Sequence, residues 1–435
     1  MDTNLGIQQM ENIVGLSRPG EAPVGFHIQN LEVARLSEEA LSALHNPSDS
    51  DVKRQLKSWS QEISPSVKSD QLRKNLRSLS LNVTQICNLH CKYCAAGGDG
   101  SYGDPIKKIS VEKTIPQLRF LLEKVPAGES FKITFLGGEP LLYPEAIDMI
   151  AESAQEIATQ KQIRLSFTVV TNGTLLTDSN VDLLCKLKAH MTISLDGPAE
   201  VNDQLRPTKS GRGSTDLVLN GIQKLISRKS ELGSVGISGV FGARNPDLIS
   251  AYKFYSSLGV DWFDFTYDHL ETRAEVSRDF TDQLFQVADL AWKKDKEKAL
   301  RQIKVFDHYF QLLDSQQRNE NYCGAGKSFL MMDARNNLYT CPWVVGRSKE
   351  VVGTQDTLSS EKLKAYEKPL VELNNCGSCW ARYLCGGGCM YIHENKTGSK
   401  HRVDENFCER TRNLIGLALL YYEKSRSQLE ERQTL

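Results

Sequence analysis

Between residues 78 and 267, short apolar runs alternate with longer amphipathic ones, the pattern of strands that each lead into a helix and return to a parallel sheet. The short runs predict strands near 78–84, 132–136, 165–171, 191–195, 235–241 and 262–267. Helical spacing fills the intervals near 111–124, 144–159, 179–188, 215–229 and 247–258. These units fit an α/β architecture in which the sheet curves into a partial (β/α)6 TIM barrel over residues 78–278. Upstream, residues 25–33 alternate well enough for a strand or hairpin, and helices are expected at 38–44 and 52–63, which makes residues 1–77 a small β-plus-helix cap. Downstream, Phe280, Leu284, Val287, Leu290 and Ala291 form a stripe that predicts one or two long helices. This helical linker, 279–319, leads to a cysteine-rich domain at 320–435. A closing amphipathic helix is expected at 413–424, with Leu414, Ile415, Leu417, Ala418 and Tyr421 on its packed side.

Composition narrows the partners. The 435 residues are 40% hydrophobic, enough for a full core, and 53 Lys and Arg nearly cancel 54 Asp and Glu. That balance removes the electrostatic signature of a nucleic-acid binder or a polybasic membrane protein. No apolar run reaches the length of a membrane span, and the polar start lacks the basic-then-apolar layout of a secretion signal, so a cytoplasmic location is expected. Eleven Cys in such a chain point to metal ligands rather than disulfides. Three fall at 87–94, seven lie from Cys323 to Cys408, and Cys185 shares a helical face with Val181 and Leu184 as a small buried hydrophobe.

Cys87, Cys91 and Cys94 stand at C-x3-C-x2-C. Three thiolates at this spacing can each hold one iron of a four-iron cluster and leave the fourth iron open, whereas zinc prefers paired C-x2-C half-sites. Site residues of α/β barrels sit at the carboxyl ends of strands, and the cysteine loop directly follows the first one. Gly137-Gly138-Glu139-Pro140 follows the second strand, Thr171-Asn172-Gly173 the third, and Ser194-Leu195-Asp196-Gly197-Pro198 the fourth. A Gly-Gly or Asn-Gly pair alone marks only a turn; the informative signal is the order of these loops behind a cysteine loop.

With Tyr93 just before its last Cys, the cysteine loop resembles that of the radical S-adenosylmethionine (SAM) enzymes, whose fold is a six-stranded partial barrel. The resemblance implies that SAM binds the open iron through its amino and carboxylate groups. An electron from the cluster then yields a 5′-deoxyadenosyl radical that removes a hydrogen atom from substrate. It also implies that Gly137, Gly138 and Glu139 receive the SAM amino group, with glycines where backbone must approach the ligand. Thr171, Asn172, Ser194 and Asp196 would bind the ribose and carboxylate, and Arg206 would pair with the carboxylate, for which a guanidinium fork is suited.

Cys323 and Cys341, then Cys376-x2-Cys379-x5-Cys385-x3-Cys389 and Cys408, resemble the seven-cysteine SPASM domain of radical SAM maturases. In that family the domain carries two further [4Fe-4S] clusters, which implies three clusters in all. By the resemblance, Cys376, Cys379, Cys385 and Cys408 hold the outer one completely. Cys323, Cys341 and Cys389 leave the inner one a ligand short and open to a substrate sulfur. A zinc-ribbon alternative fits less well, since seven thiolates do not divide into sets of four. The run Gly386-Gly387-Gly388 should let backbone amides turn toward cluster sulfurs. Asn336 stands where the family usually has Gly, and Asn is the next best residue for a left-handed turn. Pro342 stands where sulfatase-maturing relatives carry an Asp base. That argues against formylglycine formation and leaves Asp264, Asp268 and Asp333 as available carboxylates.

The whole resembles a radical SAM/SPASM peptide maturase. This implies a ribosomally made precursor peptide as substrate, an electron donor such as flavodoxin or ferredoxin, and an intramolecular crosslink as product. An open inner cluster favours a thioether, with the carbon–carbon or ether rings of close relatives beside it. Peptide-modifying members often begin with a winged-helix-like module that grips the leader peptide, and residues 1–77 resemble a short or divergent form. Seven Lys or Arg against three Asp or Glu between residues 51 and 77 would favour an acidic leader. The competing readings are a radical SAM enzyme acting on a small molecule or folded protein, and a non-catalytic zinc or iron–sulfur module.

Overall fold

The structure, a computed structural model, describes residues 5–45, 51–69, 75–94 and 105–433. The chain opens with β1 (Gly6–Met10), β2 (Ile13–Ser17), β3 (Val24–His27) and β4 (Glu32–Arg35), then α1 (Glu38–His45), α2 (Asp51–Gln61) and the short β5 (Lys68–Ser69). The βα pattern gives β6 (Ser78–Thr84), α3 (Val111–Leu122), β7 (Ser130–Gly137), α4 (Pro144–Gln160), β8 (Arg164–Thr171) and α5 (Asp178–Lys186). It continues through β9 (His190–Ser194), α6 (Ala199–Leu205), α7 (Thr215–Ser227), β10 (Ser234–Phe241), α8 (Leu248–Tyr255) and β11 (Trp262–Tyr267). Next come α9 (Ala274–Arg301), broken at Asp295 and Lys296, and α10 (Lys304–Asp314). Short strands follow: β12 (Gln317–Arg318), β13 (Phe329–Met332), β14 (Asn337–Tyr339), β15 (Gly353–Thr354) and β16 (Thr357–Leu358). The last helices are α11 (Ser360–Lys364), α12 (Leu370–Leu373), α13 (Arg382–Cys385), α14 (Met390–Thr397) and α15 (Glu405–Gln433).

By internal contacts the chain divides into two compact units. One comprises Arg73–Asp268 with Gly324–Glu367, the other Met1–Leu72 with His269–Cys323 and Lys368–Leu435. In the first unit the sheet runs β11-β10-β9-β8-β7-β6-β13-β14-β15-β16. Strands β6 to β11 are parallel, as the βα pattern requires, and each coincides with a predicted strand. Beyond β6 the sheet continues: β13 lies parallel to it with Phe329 opposite Ser78, and β14 to β16 add antiparallel. These strands come from the stretch that the sequence assigns to the cysteine-rich domain. A run as short as Phe329–Met332 carries no periodicity that would reveal it.

The two faces of this sheet differ. Leu79, Leu81, Val83, Phe131, Ile133, Phe135, Phe263 and Phe265 are buried, and Tyr252 and Tyr255 of α8 pack on Phe263. Alternation along each strand therefore turns Ser80, Thr134, Thr168, Ser194, Ser238 and Asp264 to the opposite face. There Ser80 pairs with Thr134 and Thr134 with Thr168, while Ser194, Ser238 and Asp264 share a register row.

In the second unit β1 to β4 form an antiparallel meander. The β3–β4 hairpin was legible in the alternation of residues 25–33, whereas β2 is buried along most of its length and β1 is polar and largely exposed. Ile13 packs against Leu36, Ala40, Leu41, Leu44 and Leu56 of the hairpin end and the two helices behind it. Arg18, at the end of β2, makes a bidentate bond to Asp289 of α9 at 2.9 and 2.8 Å, and Tyr421 of α15 donates its hydroxyl to the same carboxylate. No helix among the described residues is long and apolar enough to cross a membrane, and no disulfide joins any of the cysteines.

Asp289→Ala leaves the Arg18 guanidinium, whose side chain is 7% exposed, without its counter-charge. A loss of about 3–5 kcal/mol is expected, read as a lowered urea midpoint at pH 7. Burial works against the Asp289 carboxylate, yet the bonds and charge of Arg18 hold its pKa below the usual carboxylate range. Its contribution is therefore present above the unfolded value of about 4 and fades as pH falls through the lower folded one. The gap between wild type and variant should shrink accordingly in acid.

Candidate active site

The cysteine loop leaves the end of β6 and is fastened on two sides. On one, Gly138 N donates to Thr84 O at 2.7 Å and Glu139 N to Ile86 O at 2.9 Å. A Cβ on Gly138 would stand 2.2 Å from Ile86 O, and one on Gly137, whose φ is +141°, would stand 2.3 Å from Thr84 O. The close approach that these glycines permit is thus to the cysteine loop's own backbone. On the other side, His90 N donates to Pro207 O at 2.8 Å and Lys92 N to Leu205 O at 2.9 Å, at the end of α6.

Glu139 is fully buried. Its carboxylate accepts from Leu141 N at 3.0 Å, Thr171 Oγ1 at 2.7 Å and Asn172 N at 2.7 Å. Burial pushes its pKa up, and the three donors and the Arg206 charge oppose the rise. Glu139 and Thr171 are therefore bonded to each other, and Glu139 fixes Asn172 through its backbone. The Asn172 amide donates to Asn88 Oδ1 at 2.9 Å and toward Cys87 Sγ at 3.6 Å. Asn88, which sequence reasoning did not single out, completes this contact from inside the cysteine loop.

Asp196 is also fully buried. It accepts from Val240 N at 3.0 Å and from the Tyr93 hydroxyl, and Arg206 Nη1 donates to that hydroxyl at 2.7 Å while lying 3.9 Å from the carboxylate. Tyr93, Asp196 and Arg206, read singly from the sequence, are one connected group. Asn245, another residue without a sequence signal, donates to Asp196 O at 2.7 Å and fixes the loop after β9. Burial raises the Cys91 thiol to about 11, against the pull of Arg206. Ser194 ends β9 in the register row with Ser238 and Asp264.

The three spare carboxylates separate. Asp333 is 1% exposed and accepts from Arg335 N, Asn337 N and Tyr339, closing the β13–β14 turn in which Asn336 takes φ +65°. Asp268 lies 3.6 Å from Arg244. Asp264 alone of the three shares the register row of Ser194.

In the other unit Cys376, Cys379, Cys385 and Cys408 border one cavity of about 240 Å³, together with Gly387 and Gly388. Burial lifts the thiols, Cys376 to about 11 and Cys385 and Cys408 to about 12. These four cysteines are half-buried, and four thiolates are the donor type that an iron–sulfur cluster takes. Gly386, Gly387 and Gly388 take φ of +78°, +92° and +80°, a left-handed run that only glycine holds without strain. Cys389 caps α14. Cys323 and Cys389 belong to this unit and Cys341 to the other. Cys185 is buried on α5 beside Val181 and Leu184.

Residues 81–255 match the model of the radical SAM superfamily. The mycofactocin maturase MftC of Mycobacterium tuberculosis is 26% identical over 328 residues, 72% of this chain and 78% of that protein. The radical SAM cyclopropyl synthase TigE of Paramaledivibacter caminithermalis is 23% identical over 369 residues, 79% of this chain and 74% of that protein. Among solved structures, anSMEcpe with bound AdoMet and the Kp18Cys peptide superposes with a TM-score of 0.67 at 19% identity, covering 81% of this chain and 99% of that one.

Gly138→Ala should push the cysteine loop off β7 and cost about four iron per chain on anaerobic reconstitution. Met149→Ala, at an exposed position on α4, is the control and should lose none. Equal iron in the two variants would show that the loop tolerates the displacement.

Proposed function

Because this chain is a radical SAM enzyme, we propose that it matures a ribosomally made precursor peptide, taking a hydrogen atom from the peptide core and closing an intramolecular crosslink. The observation that carries this reading is the second thiolate site, the cavity bordered by Cys376, Cys379, Cys385 and Cys408. It is added to the radical SAM domain of residues 81–255 in a chain similar to a protein named a maturase. When bound, a [4Fe-4S] cluster with SAM supplies the 5′-deoxyadenosyl radical, and two auxiliary clusters take up the electron released as the ring closes.

The roles of the chain's own residues follow from their contacts. Cys87, Cys91 and Cys94 hold the first cluster, and Asn172 orients Cys87. Gly137, Gly138 and Glu139 shape the edge that receives the SAM amino group, with Ser194, Thr171 and Asn172 toward the ribose. Arg206, kept charged by Tyr93 and Asp196, faces the SAM carboxylate. Cys376, Cys379, Cys385 and Cys408 hold the outer cluster, while Cys323, Cys341 and Cys389 hold an inner one that is a ligand short. A peptide sulfur at that ligand position favours a thioether, for which Asp264 accepts the thiol proton. A carbon–carbon ring is the second reading, favoured by the similarity to a cyclopropyl synthase. The β1–β4 sheet with α1 and α2 would take the leader, and a flavodoxin or ferredoxin in the cytoplasm would supply electrons.

Replacing Cys87, Cys91 and Cys94 by Ala should abolish 5′-deoxyadenosine formation and reduce iron from about twelve to about eight per chain. Continued 5′-deoxyadenosine in that variant would sink the site assignment. With the peptide encoded beside the gene as substrate, the product should lose two hydrogens and one alkylatable thiol. A crosslinked core without Cys would replace the thioether by the second reading. Asp264→Asn should slow crosslinking by about 10²–10⁴-fold while 5′-deoxyadenosine continues to form, an uncoupling that a purely structural role would not produce.

A further inference from the structure

Two guanidinium side chains, those of Arg382 and Arg412, border the cavity of Cys376, Cys379, Cys385 and Cys408. Arg382 opens α13 between Cys379 and Cys385, and its Nη1 donates to Cys379 O at 2.9 Å. Its guanidinium carbon lies 4.9 Å from the centre of the Tyr383 ring, and that of Arg318 lies 4.7 Å from the same centre. Arg318 donates in turn to Gln29 O, from Nε at 2.9 Å and from Nη2 at 2.6 Å. A carbonyl oxygen and an aromatic ring hold a cation in place but bring no full negative charge to it. Among the described residues neither Arg382 nor Arg318 has a carboxylate within ion-pair distance.

Arg412 reaches the cavity from α15, four residues after Cys408 and so on the same face of the helix. Its ion pair is with Glu405 at 3.9 Å, a carboxylate whose side chain is 83% exposed, and a contact of that kind contributes little. Both charges bear on the thiols. Burial raises Cys376 and Cys408, and Arg382 opposes the rise at the first as Arg412 does at the second. Cations that converge on one cavity repel each other unless an anion stands among them. Four thiolates outweigh the positive charge of a four-iron core, so the group that they hold is such an anion, and its reduction adds one more negative charge.

Resting on the auxiliary-cluster reading above, we propose that Arg382 and Arg412 are the counter-charges of the cluster held by Cys376, Cys379, Cys385 and Cys408, and that they raise its reduction potential. A fixed cation stabilises the reduced form more than the oxidised one because the reduced form carries the larger negative charge. The pair thereby fits this end of the enzyme to accept the electron released as the ring closes. Arg382 is held by the Cys379 carbonyl, whereas the Arg412 side chain is 33% exposed and open to screening by salt.

The test is an EPR-monitored redox titration of the full chain, reconstituted anaerobically, with Cys87, Cys91 and Cys94 replaced by Ala so that only auxiliary clusters remain. Arg382→Gln, which keeps an N–H for Cys379 O but loses the charge, should lower the reduced-to-oxidised ratio of one cluster about tenfold at fixed potential, equivalent to ~59 mV for a one-electron couple, at unchanged iron content. Arg382→Lys, which restores the charge, should recover most of the shift. Arg412→Gln should give a smaller shift that shrinks further in about 1 M salt, where the screening length falls to about 3 Å. Equal potentials in wild type and both Gln variants, or a Lys variant shifted as far as its Gln counterpart, would overturn the counter-charge role. If Arg382→Gln loses iron, the pair Arg412→Gln and Arg412→Lys carries the same comparison. An unsubstituted chain that binds no auxiliary iron would remove the cluster reading itself, a result distinct from any of these.

Discussion

A carboxylate with no exposure to water, Glu139, holds together the loops after two successive strands. Its oxygens take the backbone of Leu141 and Asn172 and the hydroxyl of Thr171. Taking an isolated carboxylate out of water costs several kcal/mol, and hydrogen bonds to a charged group return about 1.5–3 kcal/mol each, so the charge is tolerated only while all the donors stay in place. That condition makes it a geometric constraint: the loop after β8 cannot move without leaving the charge unpaired. Asn172, fixed through its own backbone N–H, is thereby aimed at Asn88 and Cys87.

A second buried carboxylate performs the same service on the other flank. Asp196 binds the backbone of Val240 and the hydroxyl of Tyr93, and Arg206 bridges back to Tyr93. The cysteine loop is therefore clamped between two charges, each fully desolvated and each anchored in a different pair of strand ends. This arrangement depends on parallel pairing. Strands β6 to β11 all end at one edge, so residues more than a hundred positions apart in sequence, such as Tyr93 and Asp196, meet there without any special folding of the chain between them.

That same regularity decides what could be read from the sequence. The strand positions and the order of the loops were legible because apolar runs and Gly-rich turns are local features. The partners were not. Nothing in Gly-Gly-Glu-Pro reveals that its carboxylate binds Thr171 and Asn172, and nothing in Tyr93 reveals that its hydroxyl sits between Asp196 and Arg206. The extension of the sheet by β13 to β16 was hidden for another reason: two- to four-residue strands carry too little pattern, and β13 is placed by its register on β6. Likewise β1, polar and largely exposed, is a strand only because β2 lies beside it.

The unequal faces of the sheet follow from the same economy. Parallel sheets commonly bury both faces and read as continuous apolar runs. Here the helix-covered face carries Phe131, Ile133, Phe135, Phe263 and Phe265, whereas the other carries hydroxyls and Asp264. Apolar burial on the helical side is then the main source of cohesion in this unit, and the inner face is released from packing. Ser238 and Thr266 lie 3.3 Å apart there, and Thr266 is 3.3 Å from Asp264, a short chain of groups that can accept or relay a proton. A face that is not needed for cohesion can carry polar groups at little cost when they are hydrogen-bonded or solvated. These strands hold Ser194, Ser238 and Asp264 in one row on that side because the apolar face beneath the helices suffices to keep them in place.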